Sequence, residues 1–272
     1  MVIEKAYAKI NLTLDVINKR EDGYHELKSI MSPLSLCDEL IFEDYDDIVL
    51  EDNFNIKDNI ILKAAHLLKE EYNVEKGAKI KLIKRIPIEA GLAGGSADAS
   101  ATLRGLNKLW GLGLKINELA KLSEKLGSDT IFCTYNRLAY VSGRGEKISF
   151  IPSNIDTYCL LIKPYFGVST KKVFENHIIN YKGTGRFEDC LKSIDSGKKI
   201  PVYNDLLGTT LEIYPELKDL FIEVQKYNKD VMMSGSGPTL YVLSNDRIHL
   251  NNLYRKFVSS NICFICKLGL FE

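Results

Sequence analysis

The chain has no excess of charge of either sign: 36 lysines and arginines meet 36 aspartates and glutamates, for a formal net charge of zero. Bulk binding to nucleic acid or an anionic membrane surface needs a basic excess, so neither is expected as a partner. A local basic pocket for a phosphorylated ligand remains compatible with this balance. Long apolar runs are also missing, and none approaches the roughly 20 residues that a membrane-spanning helix needs. The first twenty residues carry Glu4, Lys5, Lys9, Asp15, Lys19 and Arg20, which leaves no uncharged stretch for a secretory leader. A cytoplasmic location is expected. Cysteines stand scattered at 37, 133, 159, 190, 263 and 266. Cys263 and Cys266 have CxxC spacing, but no second pair or nearby histidine completes a zinc set. Residues 261–268 have a strand pattern, on which residues three apart face opposite sides. Reduced, partly buried thiols are therefore expected.

What is present is ordinary globular material: 45% hydrophobic and 26% charged residues over 272 positions. That length suits one large domain or two modest ones. Residues 8–16 alternate strictly, with Ala8, Ile10, Leu12, Leu14 and Val16 on one side and Lys9, Asn11, Thr13 and Asp15 on the other. A period of two marks a half-buried strand whose polar side is available to a site. Helices are expected over 59–72 and 117–126, the second stopped by Gly127. A strand is expected around 79–86, a hairpin over 140–150 with Gly143 and Gly145 in its turn, and a buried strand over 157–163 closed by Pro164. Mixed helix and strand follow to the end, including a strand over 239–243. No linker composition marks a domain boundary, although one near residue 155 is plausible.

Between the expected strand at 79–86 and a helical pattern starting near Asp98 lies the loop Pro87-Ile88-Glu89-Ala90-Gly91-Leu92-Ala93-Gly94-Gly95-Ser96-Ala97. Glycine lets backbone N–H groups turn toward a ligand and removes side chains that would block close approach. A helix that starts at such a loop offers unpaired donors and about half a positive charge to phosphate oxygens. Ser96 adds a hydroxyl suited to phosphate or to bound Mg²⁺. The plainer alternative is a glycine-rich turn that only caps a helix. The loop matches neither GxxxxGK[ST] nor GxGxxG, so spacing alone favours phosphate binding only slightly.

The same loop closely resembles the ATP-binding motif of the GHMP kinase superfamily. Two more motifs of that superfamily stand in order, Ala8-Lys9-Ile10-Asn11-Leu12 and Met233-Ser234-Gly235-Ser236-Gly237-Pro238-Thr239. Gly23-Tyr24-His25-Glu26-Leu27 is similar to the branch that phosphorylates a cytidine-diphosphate-bearing alcohol of non-mevalonate isoprenoid synthesis. Gly127-Ser128-Asp129, Gly143-Arg144-Gly145-Glu146, Gly167-Val168-Ser169-Thr170 and Asn204-Asp205-Leu206 resemble later motifs of that branch. The resemblance implies an α+β fold of two domains. Residues 1–155 would be like ribosomal protein S5 domain 2, and 156–272 would be ferredoxin-like.

The resemblance also implies roles. Asp129 would be the catalytic base, accepting a hydroxyl proton and aiming the oxygen at the γ-phosphorus, whereas alone it reads as a turn or cap aspartate. Lys9 would support it, and Asn11, on the same strand face, would reach the acceptor. Tyr24 and His25, with Phe174 as a second aromatic wall, would hold a cytidine. Ser234, Gly235, Ser236 and Gly237 would supply backbone donors beside the acceptor, joined by Thr170. Pro87, Ala90, Gly91, Leu92, Ala93, Gly94, Gly95, Ser96 and Ala97 would hold ATP. Asn59 would lie near the adenine or, equally, cap the helix that follows. His66, His177 and His249 sit in no motif and read as structural. ATP and Mg²⁺ are the implied cofactors, a small cytidine diphosphate compound the partner, and a monomer or weak homodimer the state.

The chain departs from the family pattern in three places. Thr130-Ile131-Phe132 follows Asp129 without the usual proline, and Tyr135-Asn136-Arg137-Leu138 replaces a glycine pair. Ala97 stands where many relatives have a second serine. Two rivals follow: a superfamily kinase for homoserine or mevalonate, and a catalytically silent ligand-binding homologue.

Overall fold

A computed structural model describes residues 1–52, 58–152, 155–181 and 186–269. The fold resolves into two compact units, and the chain crosses between them repeatedly. One comprises residues 1–8, 36–87 and 93–136, and the other residues 9–35, 88–92 and 137–272.

In the first unit the second half of strand β2 (His25–Tyr45) pairs antiparallel with β4 (Gly77–Ile83), which pairs parallel with β3 (Ile48–Glu51). Helices α1 (Ile60–Glu71), α2 (Gly94–Leu109), α3 (Ile116–Ser123) and α4 (Thr130–Tyr135) complete this unit. The apolar side of α1 buries Ile61, Ala64, Ala65 and Leu68. Its start is set by Asn59, whose side chain accepts the N–H of Ile61 at 3.0 Å. Helix α2 is lined with small residues, and this lets it pack deep. A Cβ built on Gly105 would lie 2.3 Å from the buried ring of Phe42.

Strand β1 (Val2–Lys19) is much longer than its expected core at 8–16. Its first turn of sequence looks too charged for a strand, yet Glu4 is buried by pairing with Arg104 at 3.0 Å and Lys108 at 2.6 Å. The expectation of an open polar side is overturned further along. Asn11 and Thr13 are fully buried, and Lys9 and Asp15 nearly so. Polar groups can be buried when they satisfy one another. Lys9 Nζ donates to Asn11 Oδ1, Asn11 Nδ2 to Ser29 Oγ, and Ser29 Oγ to the Thr13 carbonyl, at 2.8, 2.8 and 2.6 Å. Tyr203 donates its hydroxyl to Asp15.

In the second unit the first half of β2 pairs with β5 (Ala139–Gly143), which forms the expected hairpin with β6 (Lys147–Phe150). Strand β7 (Tyr158–Lys163) lies in an antiparallel sheet with α5 (Thr170–Asn176), α6 (Arg186–Asp195), β8 (Tyr203–Asn204), α7 (Leu206–Ile213) and α8 (Pro215–Gln225) following it in sequence. That sheet has the order β11-β7-β10-β9, with β9 at Met232–Met233, β10 at Leu240–Ser244 and β11 at Ile262–Lys267. Helix α9 (Arg247–Phe257) buries Leu250, Leu253 and Phe257 in the same core as Leu160, Ile162 and Val242. None of the six cysteines forms a disulfide, and Cys263 and Cys266 are both buried. No helix among the described residues is long and apolar enough to cross a membrane.

Gly105→Ala should drive a methyl group into the Phe42 ring, an overpacking error that costs about 1–3 kcal/mol. The expected result is a clear fall in Tm with the far-ultraviolet circular dichroism unchanged, and an unaltered Tm would show that α2 has room to shift.

Candidate active site

The glycine loop divides into two parts with different tasks. Residues 88–92 belong to the second unit and 93–97 to the first. In the second unit Gly91 has φ +71°, and a Cβ there would lie 2.4 Å from the Ser234 carbonyl oxygen and 2.8 Å from that of Gly237. Only glycine fits both the conformation and the space. Ser234 Oγ donates to the Gly91 carbonyl at 2.9 Å, and Lys9 N–H donates to the Leu92 carbonyl at 3.1 Å. The structure therefore brings Lys9, the loop at Ala90–Leu92 and the second glycine turn together.

The second turn is held from several sides. Asn204 Nδ2 donates to the carbonyls of Met233 and Gly235 at 2.9 and 2.7 Å, while its Oδ1 accepts the Leu206 N–H. Thr170 and Ser236 share a hydroxyl–hydroxyl bond of 2.8 Å. Gly235 lies close to Asn11, its added Cβ falling 3.7 Å from Asn11 Oδ1. Tyr241 donates its buried hydroxyl to the Asn11 carbonyl at 2.8 Å. Asn204 is quoted in the sequence as part of a motif, but nothing there indicates that its amide staples this turn.

Nearby in the same unit, His25 and Phe174 stack at a tilt, with ring centroids 5.0 Å apart. Burial pushes the His25 imidazole below its usual pKa, helped by Lys19 and His177, so it is neutral at neutral pH. Tyr24 is half exposed, with the Arg144 guanidinium 5.3 Å from its ring centre. His177, read as structural, binds Thr209 Oγ1 at 2.9 Å.

In the first unit α2 starts at Gly94, earlier than the helical pattern indicated. Ala93 precedes it as a cap in the left-handed conformation at φ 56°. Gly95 is exposed, and among the described residues only Ile60 Cγ2, at 3.8 Å, approaches the place of its missing Cβ. That open space before helix N–H groups suits a phosphate. Ser100 Oγ donates to the Ser96 and Thr130 carbonyls, each at 2.8 Å, and so fixes the helix start to the residue after Asp129. Asp129 precedes α4, which the pattern reading did not assign, but its side chain makes no capping bond there. The substitutions around it have structural answers. Thr130 Oγ1 bonds the carbonyls of Ser123 and Gly127 at 2.5 and 2.6 Å, steadying a turn that lacks proline. Asn136, replacing a glycine, ends α4 at φ 51°, a conformation asparagine tolerates. Asn59 spends its amide on the α1 cap and on Asp52 Oδ2 at 3.0 Å. Pro87 follows Ile86 at the exit from β4, and Ala97 is buried inside α2.

A buried cluster that sequence reasoning missed lies under α2. Lys84 Nζ donates to Asp38 Oδ2 at 2.6 Å and to Asp98 Oδ2 at 2.5 Å. Burial pushes Asp98 up to about 8, against the pull of Lys84 and with the push of the Asp38 carboxylate.

The comparisons with known proteins agree with these motifs. Residues 59–137 match the model "GHMP kinases N terminal domain" and residues 197–262 match "GHMP kinases C terminal". The chain belongs to the GHMP kinases. It thus has their two-domain α+β fold, with an N-terminal domain like ribosomal protein S5 domain 2 and a ferredoxin-like C-terminal domain. A Bacillus cereus (strain B4264) protein named 4-diphosphocytidyl-2-C-methyl-D-erythritol kinase is 43% identical over 264 residues, covering 93% of this chain and 91% of its own. A Bacillus anthracis (strain CDC 684 / NRRL 3495) protein of that name is 42% identical with the same coverage. A crystal structure of 4-(cytidine 5'-diphospho)-2C-methyl-D-erythritol kinase superposes with a TM-score of 0.86 at 29% identity, covering 98% of this chain and 99% of that one. A homoserine kinase from Cytophaga hutchinsonii reaches 0.75 at 15% identity, covering 99% of this chain and 96% of its own, a likeness of fold alone.

The shifted Asp98 gives a pH prediction. The folded chain holds this proton to about pH 8, whereas an unfolded aspartate releases it near 3.8. Unfolding therefore releases a proton between those values, and this group's contribution to stability is lost as pH rises. Asp98→Asn removes the effect, so the Tm of the variant minus that of the parent should become more positive from about pH 5 to about pH 8. A flat difference would place Asp98 in its ordinary range.

Proposed function

We propose that this GHMP kinase transfers the γ-phosphate of ATP to the 2-hydroxyl of 4-diphosphocytidyl-2-C-methyl-D-erythritol. Identity of 43% across 93% of the chain to proteins of that name supports the assignment. The single geometric observation that carries the acceptor is the His25–Phe174 ring pair at 5.0 Å. A neutral imidazole beside a phenyl ring suits the face and polar edge of a pyrimidine, which homoserine and mevalonate lack.

In this reading Asp129 accepts the acceptor's hydroxyl proton as the oxygen forms its bond to the γ-phosphorus. The bond from that phosphorus to the β,γ-bridging oxygen breaks, and ADP leaves. Lys9 and Asn11, locked to each other, supply a fixed cation and a fixed amide toward the reacting groups. The amides at Gly94–Ala97 take phosphate oxygens at the start of α2, and the turn at Ser234–Gly237 with Thr170 borders the acceptor. Asn59 and Pro87 frame the nucleotide side, with Tyr24 at the pyrimidine rim. Among the described residues no group of three or more histidines, cysteines or acids could hold a metal by itself. Mg²⁺ keeps water and substrate phosphates as most of its ligands, and Ser96 would offer it a hydroxyl. Such an ion would neutralise charge on the transferring phosphoryl group.

We further propose a domain division near residue 155, giving 1–155 and 156–272, because the two family matches fall on either side of it. The rest of the reading is a small-molecule enzyme of the cytoplasm, monomeric or weakly dimeric, without nucleic-acid or membrane partners.

ADP release by the purified protein, with the cytidine compound, homoserine and mevalonate as separate acceptors, tests the assignment. Turnover should be confined to the cytidine compound, and Asp129→Asn should lower kcat by about 10²–10⁴-fold. Turnover on homoserine or mevalonate alone would overturn the acceptor, no turnover on any would favour a silent homologue, and an unimpaired Asp129→Asn would remove the base.

A further inference from the structure

The Lys84 cluster joins the two ends of the glycine loop within one unit. Asp38, fully buried on β2, accepts the N–H groups of Arg85 and Ile86 on Oδ1 at 2.5 and 2.7 Å, where the chain leaves β4 for Pro87. Its other oxygen takes Lys84 Nζ, and the same ammonium reaches Asp98, four residues after the start of α2. Gly94, the first residue of α2, rests directly on this cluster. A Cβ there would lie 3.2 Å from Lys84 Nζ and 3.0 Å from Ile86 Cγ2.

Stability alone accounts poorly for such an arrangement. Burying an ammonium and the Asp38 carboxylate beside a carboxyl group that burial keeps protonated carries a desolvation cost that their attractions only partly offset, and well-packed apolar residues commonly do as well or better. Asp98 Oδ1 is moreover buried without a hydrogen-bond partner, a further cost of polar burial. What the cluster provides is direction. A short, two-sided, charge-assisted bridge fixes where α2 begins relative to the strand that feeds the loop.

We propose that Lys84 is a positioning residue for ATP, setting the first turn of α2 through its bridge from Asp38 to Asp98. The proposal rests on the reading that the Gly94–Ala97 amides bind phosphate. Hydrogen bonds to phosphate depend steeply on donor placement, and a displacement of about 1 Å can cost up to about a hundredfold.

Calorimetric titration of the full-length protein with ATP and Mg²⁺, together with KM and kcat, tests it. Lys84→Met should weaken ATP binding and raise the KM for ATP on the order of tenfold, with a smaller change in the KM for the acceptor. Lys84→Arg, able to donate to both aspartate side chains, should restore most of the affinity. Asp98→Leu leaves the Lys84–Asp38 pair intact while cutting the link to α2, so it should reproduce the loss even if Lys84→Met folds poorly. Asp98→Asn, which keeps an acceptor oxygen, should bind ATP within about twofold of the parent. Unchanged ATP affinity in folded Lys84→Met or Asp98→Leu would overturn the proposal and leave the cluster a structural role seen only in Tm. Gly95→Val separates this failure from failure of the loop reading, since a side chain in that open space blocks phosphate without disturbing the cluster. If Gly95→Val binds ATP normally, the loop does not hold phosphate. If it loses ATP while the Lys84 and Asp98 variants keep it, positioning by Lys84 is the part that is wrong.

Discussion

The arrangement depends first on a backbone meeting a backbone. Gly91 lies so close to the turn at Ser234–Gly237 that no Cβ fits between its Cα and two carbonyl oxygens. Everything else near that contact serves to keep it. Asn204 holds the turn from behind, Ser234 bonds across to Gly91, and Lys9 anchors the next loop residue through its N–H. Side-chain contacts at the same place would leave the two turns a residue's width apart, and the donors of one would lose their relation to the groups of the other.

Charge is handled in the same economical way. Strand β1 buries a lysine, an asparagine, a threonine and an aspartate on one face because each has a partner, on β1 itself or on a neighbouring strand. Buried polar chains of this kind are rigid when fully satisfied and costly when any member is lost. They explain how a strand rich in polar groups can be both deep in the protein and fixed in orientation. Helix α2 follows the same rule from the other direction, its small residues allowing close packing while Ser100 and Asp98 tie its first turns to α4 and to the strand below.

Several departures from the family pattern prove to be exchanges of equivalent devices. A threonine hydroxyl bonding two carbonyls steadies a turn that a proline would have stiffened, and an asparagine enters the left-handed region that a glycine would have occupied.

How much of this was legible in the sequence follows from the range of the interactions. The glycine loop, the hairpin with Gly143 and Gly145, and the buried strands rest on local rules of period and turn chemistry, and the residues alone determined them, whereas Asn59 was open between a cap and an adenine contact until its bond to Ile61 was seen. The motifs also determined the family, because three short segments in order are a specific signature. The polar side of β1 looked open and is buried, since its partners Ser29 and Tyr203 lie far along the chain. Asp38, Lys84 and Asp98 carry no periodic signal, and neither does the amide of Asn204. Only tertiary structure decided that these groups meet, because a hydrogen bond or ion pair between distant residues depends on how strands and helices stack, and single-residue preference contains no term for that.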